Sequence, residues 1–268
     1  GKVGRRVGKG QEELALELCK RREAVIKSLD EENEVGETPM VAAAAKGDVI
    51  NLKLLLAAGG GCDAIRLSFA QSLFMACTMG HEEYARALVA AGADLFARSD
   101  DGRVCAHYCA KHGHLGVTKF ICGAGGKRLV MTLDDEGYSC AHTAAGNGHA
   151  EALGVLCGVG GKELVMVGAE KGVSCANAAA VGGFVEALRV LCEVGGKDVL
   201  MVVGESGISC AYAAAQNGHV EALRMLCEVG GTELLMMVKD NGSSCAHFPA
   251  QTGQLEALRI LYEAGGKE

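Results

Sequence analysis

The chain is predicted to fold as an all-α helical repeat solenoid, about seven helix-turn-helix repeats with finger loops between them and an N-terminal capping helix. Three observations predict this. Cys105, Cys140, Cys175, Cys210 and Cys245 stand 35 residues apart, and Cys122, Cys157, Cys192 and Cys227 keep the same step. The text around them repeats: GFVEALRVLCEVGG from Gly183 and GHVEALRMLCEVGG from Gly218 agree at 12 of 14 positions. The second of these places Ala222, Leu223, Leu226 and Cys227 on one helical stripe and Glu221, Arg224 and Glu228 opposite. A short helix with one apolar stripe cannot bury it alone, so successive units must stack.

Composition narrows the alternatives. The 268 residues include 39 Gly, 2 Pro, 13 Cys and no Trp, with 49% apolar and 4% aromatic residues. Core volume is therefore filled by Ala, Val, Leu, Met and Cys. No Gly-x-y triplet runs through the chain, which excludes collagen, and the apolar content excludes wholesale disorder. No apolar run reaches the length of a bilayer crossing. A formal net charge of −7 argues against general nucleic-acid binding, which needs a basic face.

Residues 1–35 are expected to hold a basic tail and a capping helix. Lys2, Arg5, Arg6 and Lys9 lie in a Gly-rich tip without Asp or Glu. They read as a solvated charge cluster, with the remnant of a cut transit peptide as the alternative. The chain does not begin with Met, so its start is expected to be trimmed, processed or incompletely assigned. Residues 11–33 put Leu14, Leu18, Val25 and Leu29 on one stripe. That helix is expected to cap the first repeat, or else to bind a partner. Units are then expected over 36–68, 69–101, 102–136, 137–171, 172–206, 207–241 and 242–268. In the sixth, Ser209 caps an Ala-rich first helix, Gly218 stops it, and Gly230 and Gly231 end the second. In the last, Pro249 removes a backbone donor, so that unit should be the least regular. The text stops at Lys267 and Glu268 inside the repeat pattern, so further residues are expected beyond it.

These units resemble the ankyrin repeat, whose marks are a T-P-L-H-x-A opening, a Gly-His turn and a Leu-rich second helix. The first has TPMVAAAAKGD from Thr38 to Asp48, followed by LLLAAGG, and the second has MACTMGH and then ALVAAGADLFARSDDG to Gly102. Later openings are VCAH (Val104 to His107), SCAH (Ser139 to His142), SCAN (Ser174 to Asn177), SCAY (Ser209 to Tyr212) and SCAH (Ser244 to His247). Turn glycines Gly47, Gly80 and Gly113 are 33 apart, and Gly113, Gly148, Gly183, Gly218 and Gly253 are 35 apart. Against the family pattern, Cys stands for the Pro of helix one and for the second core Leu of helix two. Two added residues follow the Gly-Gly pair, and Lys162 to Leu164 with its equivalents reads as an extra helical turn.

Chemistry-bearing clusters are read mainly as structure. Nine cysteines occupy two packing slots, where reduced buried thiols are expected, with disulfides or metal ligation as the alternatives, so no metal site is assigned. Cys105, Cys109 and His112 have helical spacing that can bind zinc, yet tetrahedral sites need four converging ligands and a second pair is missing. Ser139 with His142, and Ser244 with His247, have the spacing of an N-cap interaction, which recurs without an oriented base or oxyanion site. Gly125-Gly126-Lys127 lacks the spacing of a phosphate loop. No catalytic residue and no cofactor are assigned.

The resemblance implies non-catalytic protein recognition through a concave face and fingers. Tyr108, Lys111, His112, Asn147, Tyr212, Gln216, Asn217, Phe248 and Gln251 would line that face. Met166, Met201 and Met236 mark an apolar strip along the fingers, ahead of acidic tips at Asp134, Glu170, Glu205 and Asp240. A protein partner or larger complex is expected, and no transmembrane segment. Two other classes are open: a fixed subunit of a larger assembly, an organellar one included, and a thiol or zinc enzyme at Cys105, Cys109 and His112. Free thiols imply a reducing intracellular compartment, cytoplasmic by default, or an organelle stroma or matrix should the N-terminus be processed.

Overall fold

The computed structural model describes residues 31–34, 36–59, 63–169 and 172–265. The expected basic tail and most of the expected capping helix lie outside the described residues. Fourteen α-helices are found among them, and two compact units divide the chain after Asp94.

The first unit holds α1 (Pro39–Lys46), α2 (Val49–Gly59), α3 (Asp63–Met79) and α4 (Glu82–Ala90). Pro39 starts α1 where its missing donor costs nothing. Helix α1 packs on α3 and α2 on α4, so like helices pair across successive repeats. Leu52, Leu73 and Leu88 are fully buried. Tyr84 is buried with them, and its hydroxyl donates to the Met40 carbonyl at 2.8 Å. Nε2 of His81 meets the Ala45 carbonyl at 3.2 Å and ties the second repeat to the first.

The second unit contains five helix pairs: α5 (Cys105–His112) and α6 (Leu115–Val130), α7 (Cys140–Gly146) and α8 (Ala150–Met166), α9 (Cys175–Val181) and α10 (Val185–Gly195), α11 (Cys210–Gln216) and α12 (Val220–Leu235), α13 (His247–Thr252) and α14 (Leu255–Gly265). The first helix of each pair packs on the first helix of the next, and the second on the second. Small residues permit this. Ala141, Ala144, Ala145, Ala176, Ala179 and Ala180 are fully buried on the inner row, and Leu153, Leu156, Leu188, Leu191 and Leu223 on the outer. Antiparallel bridges between Leu133 and Ser139, and between Val238 and Ser244, close two of the fingers into short hairpins. The finger between Met201 and Ile208 is built differently, with a 3₁₀ turn at Glu205–Gly207.

The Gly-Gly pair ends each long helix and starts the added turn for two separate reasons. Gly126, Gly161, Gly196 and Gly231 have φ between +61° and +70° with ψ near the extended range, a conformation almost reserved to glycine. The preceding Gly160 is helical, but a Cβ there would fall 2.6 Å from the Leu164 side chain that the added turn folds back onto it. Leu129, Leu164, Val199, Leu200 and Leu234 are thereby buried completely. Gly160→Ala and Gly161→Ala are each expected to lower stability by about 1–3 kcal/mol. Only the Gly160→Ala loss should be reduced when Leu164 is cut to alanine in the same chain. Urea midpoints of the two double-mutant cycles check this, and equal behaviour of both glycines would contradict it.

The last inner helix is irregular as expected. It begins at His247, whereas in the preceding repeat the inner helix begins at Cys210, whose register equivalent is Cys245, two residues before His247. Pro249 sits in the first turn of α13, where no donor is needed, and its ring crowds out a helical carbonyl four residues back, at Cys245.

Candidate functional site

Three structural layers decide what the second unit can present. The innermost is the joint between repeats. Helices α5 and α7 project their third residue forward: Nε2 of His107 meets the Tyr138 carbonyl at 3.0 Å and Nε2 of His142 meets the Val173 carbonyl at 3.0 Å. Nδ1 of the same rings accepts the backbone N–H of Val104 and of Ser139. The Ser139 hydroxyl lies 2.9 Å from Nδ1 of His142, and Ser244 repeats this with His247. Asn177 keeps the forward bond, its Nδ2 donating to the Ile208 carbonyl at 2.9 Å, while its Oδ1 has no partner among the described residues. A second series runs backwards, with Nε2 of His149 on the Lys111 carbonyl and Nε2 of His219 on the Val181 carbonyl. These histidines hold repeats together, and the serines orient the His142 and His247 rings within their own repeats.

The thiols form the next layer. Cys105, Cys140, Cys175 and Cys210 are fully buried, and the Sγ of Cys105, Cys140, Cys210 and Cys245 donates to the carbonyl ten residues earlier. Burial pushes the thiols of Cys122, Cys157, Cys210 and Cys227 up to about 12, and that of half-buried Cys192 up to about 11. Such thiols are weak nucleophiles because the thiolate is scarce at neutral pH. Cys105 and Cys109 are buried whereas His112 is exposed, and among the described residues no group of three or more His, Cys, Asp or Glu is placed to hold a metal ion. Iodoacetamide at pH 8 is expected to label Cys192 first among these nine slot cysteines and to leave the others unmodified until denaturant is added. Rapid labelling of Cys105 or Cys140 in the folded protein, read by mass spectrometry, would contradict the packing role.

The outer layer holds the residues expected to meet a partner. Lys111, His112, Asn147, Gln216, Asn217 and Gln251 are exposed at the ends of inner helices, and Tyr108 and Phe248 are half-buried beside them. Asn147 and Asn217 also close their own helices, each Nδ2 donating at 2.8 Å to the carbonyl four residues back. Met166 and Met201 are half-buried and Met236 is 77% exposed, so the strip is graded along the repeats. Glu205 and Asp240 are exposed at finger tips, and Glu170 lies outside the described residues.

Two expected contact residues are placed otherwise. Tyr212 is buried, because it fills the forward-pointing slot held by His107, His142 and Asn177 in other repeats, with Nζ of Lys239 4.8 Å from its ring centroid. Asp134 is not a tip residue. It is buried, accepts the N–H groups of Glu136 and Tyr138 at Oδ1 and takes an ion pair from Arg103 at 3.2 Å. The side chain folds its own finger.

Charge separates the faces. Beside the added turns, Lys127, Lys162 and Lys197 pair with Glu163, Asp198 and Glu233 of the following repeat at 2.7, 2.6 and 2.8 Å. That row is self-neutralised. At the tips, Asp135 pairs with Arg98 and Asp101 with Arg103, whereas Glu136, Glu205 and Asp240 make no ion pair among the described residues. Sequence reasoning missed Val181, which is 54% exposed at the end of α9, although its register with Lys111, Gln216 and Gln251 was readable.

The helix pairs, their glycine turns and the joints between them define an ankyrin-type repeat, and comparison with known families agrees. A model of ankyrin repeats in many copies matches residues 73–121, and one of ankyrin repeats in three copies matches residues 176–268. Together the matches span just over half of the chain. The chain belongs to the ankyrin-repeat family. A search of curated proteins finds no significant match.

Proposed function

We propose that the protein is a non-catalytic recognition scaffold whose inner-helix ends and finger tips receive a protein partner. Ankyrin repeats in general mediate contacts between proteins, and no described helix is long and apolar enough to cross a membrane. The observation that carries the reading is a contrast within one chain. The turn glycines and the buried thiols recur in repeat after repeat, while positions 111, 146, 181, 216 and 251 read Lys, Gly, Val, Gln and Gln. Uniform frame and varied face are what a scaffold with tailored contacts needs. Stacking orders the face before binding, so association costs little further conformational entropy.

The same reading assigns the protein to a reducing compartment, because its thiols are built as core. Chemical cross-linking of the protein purified with its bound partner tests the proposal. Cross-links are expected on Lys111, Lys239 and the acidic tips. Cross-links confined to Lys127, Lys162 and Lys197, on the self-paired row, would reject it in favour of an outer-face assembly contact.

A further inference from the structure

A pocket of about 250 Å³ opens in the second unit between α9 and the finger ahead of α11. It exists because three residues in two register slots are small together. Position 178 is Ala, where the same slot holds Tyr108, Thr143 and Phe248 in other repeats, and Ala213 follows it. The finger position that faces the joint is Gly204, where others hold Asp134, Ala169 and Lys239. Joint and finger residues are paired: Asp134 lies close enough to His107 to act on it electrostatically, and Lys239 covers Tyr212. Asn177 with Gly204 is the pair that leaves space, and a Cβ at 204 would come within 3.1 Å of the Asn177 amide nitrogen.

The pocket's surroundings are also exceptional. Val181 is 54% and Val203 40% exposed near its mouth. Among the described residues Ser206 is the one non-glycine residue with positive φ, +62°, and it lies in the finger that borders the pocket. Glu205 lines the pocket, is exposed and has no ion partner among the described residues. Sites for drug-sized ligands usually enclose roughly 300–1,000 Å³, so this one suits a single side chain. Its walls of Val173, Ala178, Val181, Ile208 and Ala213 are apolar, and its one charged lining residue is acidic.

We propose that this pocket takes one aliphatic or phenyl side chain from a partner protein segment whose neighbouring residue is lysine or arginine, the cation pairing with Glu205. The proposal rests on the recognition reading and adds the chemistry of its anchor. A buried apolar anchor flanked by a charge at the rim is the arrangement that concentrates binding energy in few residues. Glu205, which has no ion partner among the described residues, selects against an acidic neighbour at the same place.

The test is selection of a phage-displayed random dodecapeptide library on the full chain, compared with Ala178→Phe and Glu205→Lys. The scaffold tolerates an aromatic at the first position, since Tyr108 and Phe248 occupy it elsewhere, and the second is a surface change; circular dichroism melts verify both folds. Peptides selected by the unchanged protein are expected to share an apolar residue beside Lys or Arg and to bind Ala178→Phe about tenfold more weakly. Glu205→Lys is expected to select acidic neighbours instead. Enriched peptides that bind Ala178→Phe unchanged would overturn the pocket while leaving recognition by the face intact. An enriched set without the apolar-basic pair, or no enrichment, would also overturn it. The broader reading is judged separately, by the cross-link map.

Discussion

Replacing Leu191 with alanine is expected to cost about 2–5 kcal/mol and to loosen mainly the repeats beside it. Leu191 is fully buried on α10, in a slot filled by Ile121, Leu156 and Leu226 in neighbouring repeats, all likewise fully buried. Removing its isobutyl group takes away apolar contact and leaves a cavity that stiff neighbours cannot fill. Helix α10 packs on α8 and α12, so the lost contacts fall on those helices and on α9. A stack of nearest-neighbour interfaces confines the damage. Hydrogen exchange should therefore show faster amides in α8 to α12, with α5, α6 and α14 keeping their protection. Uniform loss of protection across the second unit would show that its repeats unfold as one body and that the nearest-neighbour description fails.

Much of this architecture is readable in the sequence because repetition multiplies weak signals. One Gly-Gly pair is an ambiguous helix stop, whereas Gly125-Gly126, Gly160-Gly161, Gly195-Gly196 and Gly230-Gly231 at fixed spacing define an element boundary. Their division of labour is not readable, since only the fold brings Leu164 against Gly160. The fingers were harder. Asp134 and Glu205 look alike as acids after an apolar strip, but they lie at different registers of the finger. Asp134 turns inward to two N–H groups and Arg103, and Glu205, one register position on, faces out. Tyr212 misled for a related reason. An aromatic residue in an alanine-rich helix suggests a contact residue, yet the slot it fills is the joint that His107 and His142 occupy. The varied polar helix ends were found from their register alone. The pocket was not, because it arises from side chains that are missing at three positions distant in sequence.

Acidification is expected to weaken the second unit through the same joints. Nε2 of His142 faces the Val173 carbonyl, so it carries the ring proton, and Nδ1 then serves as acceptor to the Ser139 N–H and the Ser139 hydroxyl. A second proton would have to enter at Nδ1, against those donors. Burial is the largest influence and pushes this imidazole down to about 4; neighbouring His107 acts in the same direction, and Asp134 and the carbonyls of Val173 and Val167 oppose it. His107 is lowered too, again chiefly by burial. In the unfolded chain an imidazole titrates near 6.5. Between that value and about 4 the unfolded state binds a proton that the folded state refuses, so stability falls as the pH is lowered through this window and levels off below it. For His142 the full loss is about 3 kcal/mol. His142→Asn copies the neighbouring Asn177 joint, which keeps the forward bond and leaves Oδ1 without a partner among the described residues. The variant is expected to be less stable by about 1–3 kcal/mol at pH 7.5, but to lose less on going to pH 4.5. Urea midpoints measured across that range decide the matter. An equal fall for both proteins would mean that the acid sensitivity arises elsewhere and that the imidazole at the joint does not resist protonation.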